Sequence, residues 1–281
     1  TPQFWLLWII LCMNVSAGIG IIGAAAPMLQ ETFGGKLIGQ PALGFAEVKA
    51  DETLRNAAAA VAAAFVGLIS LFNIFGRIAW ASSSDKLGRK PTYFVFFVLG
   101  AALYVLASFA ADWKSLALLV GAFCIIASMY GGGFATIPAY LADMFGTQFV
   151  GAIHGRLLTA WSTAGILGPM VVNAMHDIRL EEKVPFDRIY GPIFLTLAGM
   201  LVVGFIANLL VRPVAGKWFM SDKELFEEKR LAHESITKAA GSAAGGAGGF
   251  SAAVLLAWAV VAIPLVWGVW TTIVKSMPLF K

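Results

Sequence analysis

Arg77 is the residue of this 281-residue chain whose setting most suggests chemistry. It lies in an apolar stretch, eight residues before Asp85, about 12 Å along a helix. A charge that deep in a membrane-length apolar segment is rare and costly, so it is a functional hypothesis by default. Its guanidinium is a planar fork that matches a carboxylate, and the chemistry it suggests is anion binding. The competing reading is a structural Arg, paired with a carboxylate elsewhere in the protein or with backbone carbonyls. Asn73 and Tyr130 are the preferred polar companions, and Trp161 offers an apolar or π face, or simply packs. Asn14, Ser16, Ser128, Thr159, Ser162 and Thr163 read equally as cavity liners or interhelical hydrogen bonds. No catalytic residue, metal cluster or cofactor is expected. Ser/His/Asp and Cys/His arrangements and a nucleotide loop are missing, and the glycines Gly131 to Gly133 sit in an apolar stretch ahead of Pro138, not in a phosphate cradle. The chain is not expected to be an enzyme.

A second constellation is Ala81-Ser82-Ser83-Ser84-Asp85-Lys86-Leu87-Gly88-Arg89-Lys90. A helix ending near Ser84 favours cations at its carbonyl end. Gly88 permits the φ > 0 turn that sends the chain back. Asp85 can pair with Arg89, and such a charge-latched turn can hold helix pairs together in one state of a two-state assembly. Asp143 with Arg156 is a second candidate latch. His154 and Arg156 stand at the start of a helix, as gate or surface groups.

These residues need elements to position them, and composition says which. Apolar residues make up 59% of the chain and charged residues 13%, against about 45–50% and about 25% in soluble domains. Mean hydropathy is +0.81. The net charge of +4 suits basic loops near anionic lipid and gives no case for nucleic acid. Seven apolar stretches can be marked, at 4–29, 57–81, 92–110, 116–141, 150–175, 191–211 and 252–274, each near the length that crosses a bilayer as a helix. Gly165 and Gly168 read as helix-packing contacts. The short loop with Lys86, Arg89 and Lys90 is placed in the cytoplasm by its positive charge. Residues 30–56 and 176–190 read as long, mixed-charge connections. Ser221 and Glu224 form a capping-box signature for a solvated or interfacial helix, residues 239–249 read as a flexible tether, and Trp258, Trp267 and Trp270 would anchor the last span. Cys12 and Cys124 lie in apolar runs, away from any disulfide or thiolate framework. The start at Thr1-Pro2-Gln3 reads as a chain beginning within a longer protein.

The 81–90 segment resembles the loop signature of the major facilitator superfamily, G-x-x-x-D-R/K-x-G-R/K-R/K, with Ala81 in place of the first Gly. Residues 14–30 (NVSAGIGIIGAAAPMLQ), 75–90, 131–145 (GGGFATIPAYLADMF) and 155–169 (GRLLTAWSTAGILGP) are similar to the oxalate:formate antiporter family. The resemblance implies an all-α integral membrane protein, the C-terminal six-transmembrane-helix half of a major facilitator bundle (residues 1–213), then a cytoplasmic helix and tether (214–250) and one additional C-terminal transmembrane helix (251–281) similar to a small-subunit module. The implied partners are a small carboxylate anion, the N-terminal six-helix half of the same transporter and membrane lipid, in the cell inner membrane. The implied activity is secondary transport by alternating access, as antiport or proton symport; a non-transporting partner or sensor and a channel-like assembly remain as alternatives. In that family's oxalate carrier a helix-eight Arg and a helix-eleven Lys bind the dicarboxylate together. Arg77 matches the first, whereas Trp161 stands at or near the second, which favours a monocarboxylate such as formate, acetate or lactate over oxalate. No proton-coupling carboxylate is visible within the apolar stretches, which leaves that task to the missing half or to His154.

Overall fold

The computed structural model describes residues 1–245, together with 256, 258, 260, 262–264, 266 and 267. Its helices are α1 (Pro2–Phe33), α2 (Phe45–Ala50), α3 (Glu52–Leu87), α4 (Arg89–Ser108), α5 (Leu116–Phe145), α6 (Val150–Glu181), α7 (Tyr190–Leu210) and α8 (Asp222–Gly245). Among the described residues six helical segments are long and apolar enough to cross a membrane. They coincide with the first six expected stretches. Most of the seventh stretch lies outside the described residues.

Helix ends depart from the hydropathy limits. α1 continues past residue 29 to Phe33, α3 starts at Glu52 and runs on to Leu87, and α6 continues past residue 175 to Glu181. Hydropathy marks the part of a helix that meets lipid; caps and glycines mark where it stops. The Asp51 carboxylate caps α3 by accepting from the backbone N–H groups of Thr53 and Leu54 at 2.8 and 3.0 Å. Gly88, at φ 89°, breaks α3 from α4 in a single residue, a conformation that a side chain resists. The connection between α1 and α3 is itself folded, through a 3-10 turn at Gly34–Ile38 and the short α2.

The chain divides into two compact units, Thr1–Trp218 and Phe219–Lys281. In the first, α1 packs on α6 and α7, α3 on α5, and α4 on α7. Small residues allow this closeness. A Cβ on Gly76 would lie 2.1 Å from the Ser128 carbonyl oxygen, and one on Gly168 would lie 2.4 Å from the Ser16 carbonyl oxygen. Gly168 is therefore the packing contact its spacing suggests; Gly165 faces open space. The centre is aromatic, with Tyr93, Phe96, Phe97 and Tyr104 almost wholly buried. Both tyrosine hydroxyls donate to helix carbonyls, Tyr93 to Gly133 and Tyr104 to Ala17, each at 2.6 Å. In an apolar interior these bonds remove the cost of the buried hydroxyl. Cys12 and Cys124 are buried free thiols.

In the second unit the capping box forms. Ser221 donates to the Glu224 carboxylate from its backbone N–H at 2.8 Å and its hydroxyl at 2.9 Å. Those bonds hold the Glu224 carboxyl below the usual carboxylate range. α8 runs through Gly245, so residues 239–245 are helical where a tether was expected, in keeping with their alanine content.

Candidate functional site

α3 and α6 are the least buried of the six spans, and Arg77 and Trp161 stand on them. α5 links the two. Arg77 donates from Nε to the Asn73 Oδ1 one turn earlier at 3.3 Å, and its guanidinium lies 5.6 Å from the centre of the Phe134 ring. Phe134 in turn meets the Trp161 ring edge to face at 5.7 Å. The result is a continuous arc Asn73–Arg77–Phe134–Trp161 across α3, α5 and α6. The backbone behind it is tight: a Cβ on Gly131 would lie 2.2 Å from the Asn73 carbonyl oxygen and 3.2 Å from the Arg77 Cγ. Beside Asn73, a cavity of about 180 Å³ is bounded by Ile22, Ile69, Ser70 and Ile74.

Arg77 is exposed and forms no ion pair with a carboxylate among the described residues. Trp161 is 41% exposed. A cation with one weak side-chain bond, beside the Phe134 ring, retains most of its donors for a ligand. Phe134 was not among the residues singled out from sequence. Its signal was its place three residues after Gly131, which puts it on the face of α5 turned to α3.

Tyr130 sits elsewhere. Its ring presses on α1, where a Cβ on Gly18 would fall 2.4 Å from Cδ2, and it lines a small internal cavity with Asn14 and Tyr104. Of the remaining polar candidates, Thr159 and Ser128 are hydrogen-bonded between helices and the others are not, among the described residues. Trp8 donates to Thr159 at 2.9 Å and Trp80 to Ser128 at 3.2 Å. Asn14 is buried against Gly133 with its amide nitrogen unpartnered, and Ser16 meets the Cys12 sulfur at 4.0 Å. Ser162 and Thr163 bond back to carbonyls of their own helix.

The basic loop is a junction of three helices around Arg89. Its guanidinium donates to the Ser84 hydroxyl, to Asp85 at 2.5 Å and to Asp143 at 3.3 Å. The expected Asp143–Arg156 latch is corrected on this point: Asp143 pairs with Arg89, because the C-terminal end of α5 lies beside the start of α4. Arg156 forms no ion pair among the described residues and borders a cavity with Thr1, Phe4, Phe145 and Ile153. With both carboxylates largely exposed, each pair contributes about 0–1 kcal/mol; the junction orients more than it stabilises. Lys86 is exposed. Lys90 caps α7, donating to the carbonyls of Leu209 at 3.0 Å and Val211 at 2.7 Å, while Asn208 donates to the Lys90 carbonyl at 3.1 Å. Lys90→Ala strips two carbonyls of their cation and is expected to lower stability by about 1 kcal/mol in thermal unfolding of the purified protein.

At the opposite end of the bundle lies a cluster that sequence reading did not find. The side chain of Glu31 on α1 meets His176 on α6 at 2.9 Å and Tyr190 on α7 at 3.0 Å. Both Glu31 and His176 fell in segments read as loops. In the structure they lie on the extended ends of α1 and α6, beyond the apolar stretches, so a carboxylate stands on a helix just outside the first stretch.

Among the described residues, six apolar spans thus carry an exposed guanidinium without an acidic partner and a charged junction at one end. Residues 7–281 match the Major Facilitator Superfamily, and the chain belongs to that superfamily of multi-pass membrane transporters. It is 29% identical over 83% of its length to the oxalate:formate antiporter of Oxalobacter formigenes, covering 48% of that protein. It is 33% identical over 40% of its length to the glucose transporter GlcP of Staphylococcus epidermidis, covering 25% of it. It is also 25% identical over 59% of its length to the probable metabolite transport protein CsbC of Bacillus subtilis, covering 33% of it. The chain thus spans about half the length, or less, of these relatives.

Proposed function

We propose that this chain is the C-terminal half of a secondary transporter of small organic anions in the inner membrane. It works by alternating access together with an N-terminal six-helix half, and its substrate binds near the bilayer midplane between the halves. The observation that carries the reading is Arg77, exposed on an incompletely covered face, without an acidic partner among the described residues and beside Phe134, whose ring in turn meets Trp161. A carboxylate occupies the free side of the guanidinium while the aromatic rings contact the rest of the molecule. A sugar has no group to neutralise that cation, so the anion is favoured over the substrate named for the glucose transporter relative. The loop around Arg89 faces the cytoplasm and holds α3, α4 and α5 together at that end.

One guanidinium balances one carboxylate. A second buried carboxylate without a partner would cost several kcal/mol, and Trp161 stands where the resemblance leads one to expect a Lys. The preferred substrate is therefore a monocarboxylate. The test is uptake of labelled formate, acetate, lactate and oxalate by the full-length protein in proteoliposomes. The parent is expected to favour the monocarboxylates. Trp161→Lys adds the second cation at an exposed position and is expected to shift preference toward oxalate by about tenfold. A parent that prefers oxalate, or a Lys variant with unchanged selectivity, contradicts the assignment; no flux of any acid contradicts the transporter itself.

A further inference from the structure

We infer that Glu31, His176 and Tyr190 form a proton-binding latch at the end of the bundle opposite the basic loop, closed on α1, α6 and α7 when His176 carries its second proton. The inference that the latch opens during transport rests on the carrier reading above; the proton site itself rests on geometry. The imidazole Nε2 lies 2.9 Å from the Glu31 Oε2, and the Nδ1 lies 3.3 Å from the Asp177 Oδ1. Both ring nitrogens therefore face carboxylate oxygens. A neutral imidazole has a single N–H, so one of its nitrogens would turn a lone pair toward a carboxylate. The imidazolium donates at both. Tyr190 donates its hydroxyl to the same Glu31 oxygen at 3.0 Å, and its ring lies 5.7 Å from that of His176. One carboxylate oxygen thus gathers a donor from each of two neighbouring helices.

The cluster is secluded but not sealed. The Glu31 side chain is 12% exposed and that of His176 is 20% exposed. Glu31 also borders a vestibule of about 500 Å³ with Thr32, Lys36, Lys114 and Asp187, which gives the proton a route to water. Of the other charged groups near this end, Lys36 donates to the Lys114 carbonyl, Arg179 pairs with Glu182 and Arg188 with Asp112, while Lys114, Glu181 and Lys183 carry no ion pair to His176 or Glu31 among the described residues. Asp187 lines the vestibule, and no ion pair joins it to His176 among the described residues. When the imidazolium releases a proton, its charge-assisted contact with Glu31 becomes at most a neutral hydrogen bond, and the tie of α6 to α1 weakens. Closing reverses the step and takes up one proton. The latch holds at acidic pH and loosens as pH rises through the imidazole range.

The experiment uses the purified full-length protein in detergent with Thr32→Cys as a reporter and a hydrophilic maleimide as probe. Labelling is normalised to Gln40→Cys, an exposed position, to remove the thiol's own titration. Between about pH 5.5 and about pH 8.5 the normalised rate is expected to rise about tenfold, the loss of one charge-assisted bond. His176→Gln and Glu31→Gln should flatten the profile, while Tyr190→Phe, which keeps the His–Glu pair, should preserve it and shows that packing loss is not the cause. A flat parent profile, or the same rise in His176→Gln, overturns the latch. Carboxylate uptake with a flat profile removes the latch and leaves the carrier; the pH-dependent profile without uptake does the reverse.

Discussion

Arg77→Ala is expected to cut uptake of the preferred carboxylate at subsaturating concentration by about a hundredfold or more, with stability unchanged within about 0.5 kcal/mol. A bidentate guanidinium–carboxylate pair supplies two charge-assisted hydrogen bonds, and losing about 3 kcal/mol of such interaction is a factor of about a hundred. Stability is spared because Arg77 is exposed and forms no ion pair among the described residues, so its removal orphans no buried acid. Its bond to Asn73 at 3.3 Å is confined to neighbouring turns of α3. Arg77→Lys keeps the charge and forfeits the fork, and should lose about tenfold. Labelled-acid uptake in proteoliposomes, paired with thermal unfolding, reads both halves of the prediction. Parent-like transport by the Ala variant would leave Arg77 a structural residue.

The second large effect is expected at Gly76, whose contribution is packing and not chemistry. Its missing side chain lets α3 lie on the backbone of α5: an added Cβ would stand 2.1 Å from the Ser128 carbonyl oxygen and 2.5 Å from the Ser128 Cα. Backbone atoms of a hydrogen-bonded helix cannot turn aside as a side chain would, so the helices must separate. Gly76→Ala should destabilise by about 1–3 kcal/mol. Gly67 on the same helix meets nothing within 4 Å, and Gly67→Ala should be neutral or stabilising by up to about 1 kcal/mol. Melting temperatures of the two variants in detergent decide the matter; equal values would show that the α3–α5 contact is looser than described. Because Gly131 presses on Asn73 and Arg77 across the same contact, Gly76→Ala is also expected to weaken substrate uptake.

Much of the fold was legible in composition and charge placement. The first six apolar stretches became six helices because each must satisfy its own backbone in lipid, and Gly88 turned the chain where its neighbours' charges suggested. What failed was the treatment of helix ends. Glu31 and His176 are polar, so hydropathy assigned them to loops, yet no glycine or proline stops α1 or α6 there, and tertiary partners make their burial favourable. Asp143 was expected to latch to Arg156, whereas the approach of α5 to α4 gave it to Arg89. Tyr130 was grouped with Asn73, but helical phase turns it toward Gly18.

By itself the sequence determined that the chain spans a membrane, where it turns, and that a cation lies deep in one span, since each of these is a local property of residue type against lipid or water. Only the tertiary structure decided which groups stand together. The arc from Asn73 to Trp161 and the junction of Glu31, His176 and Tyr190 each draw on three helices distant along the chain. Their contacts depend on helix phase and on close approach at glycines, and neither quantity is fixed by any single segment.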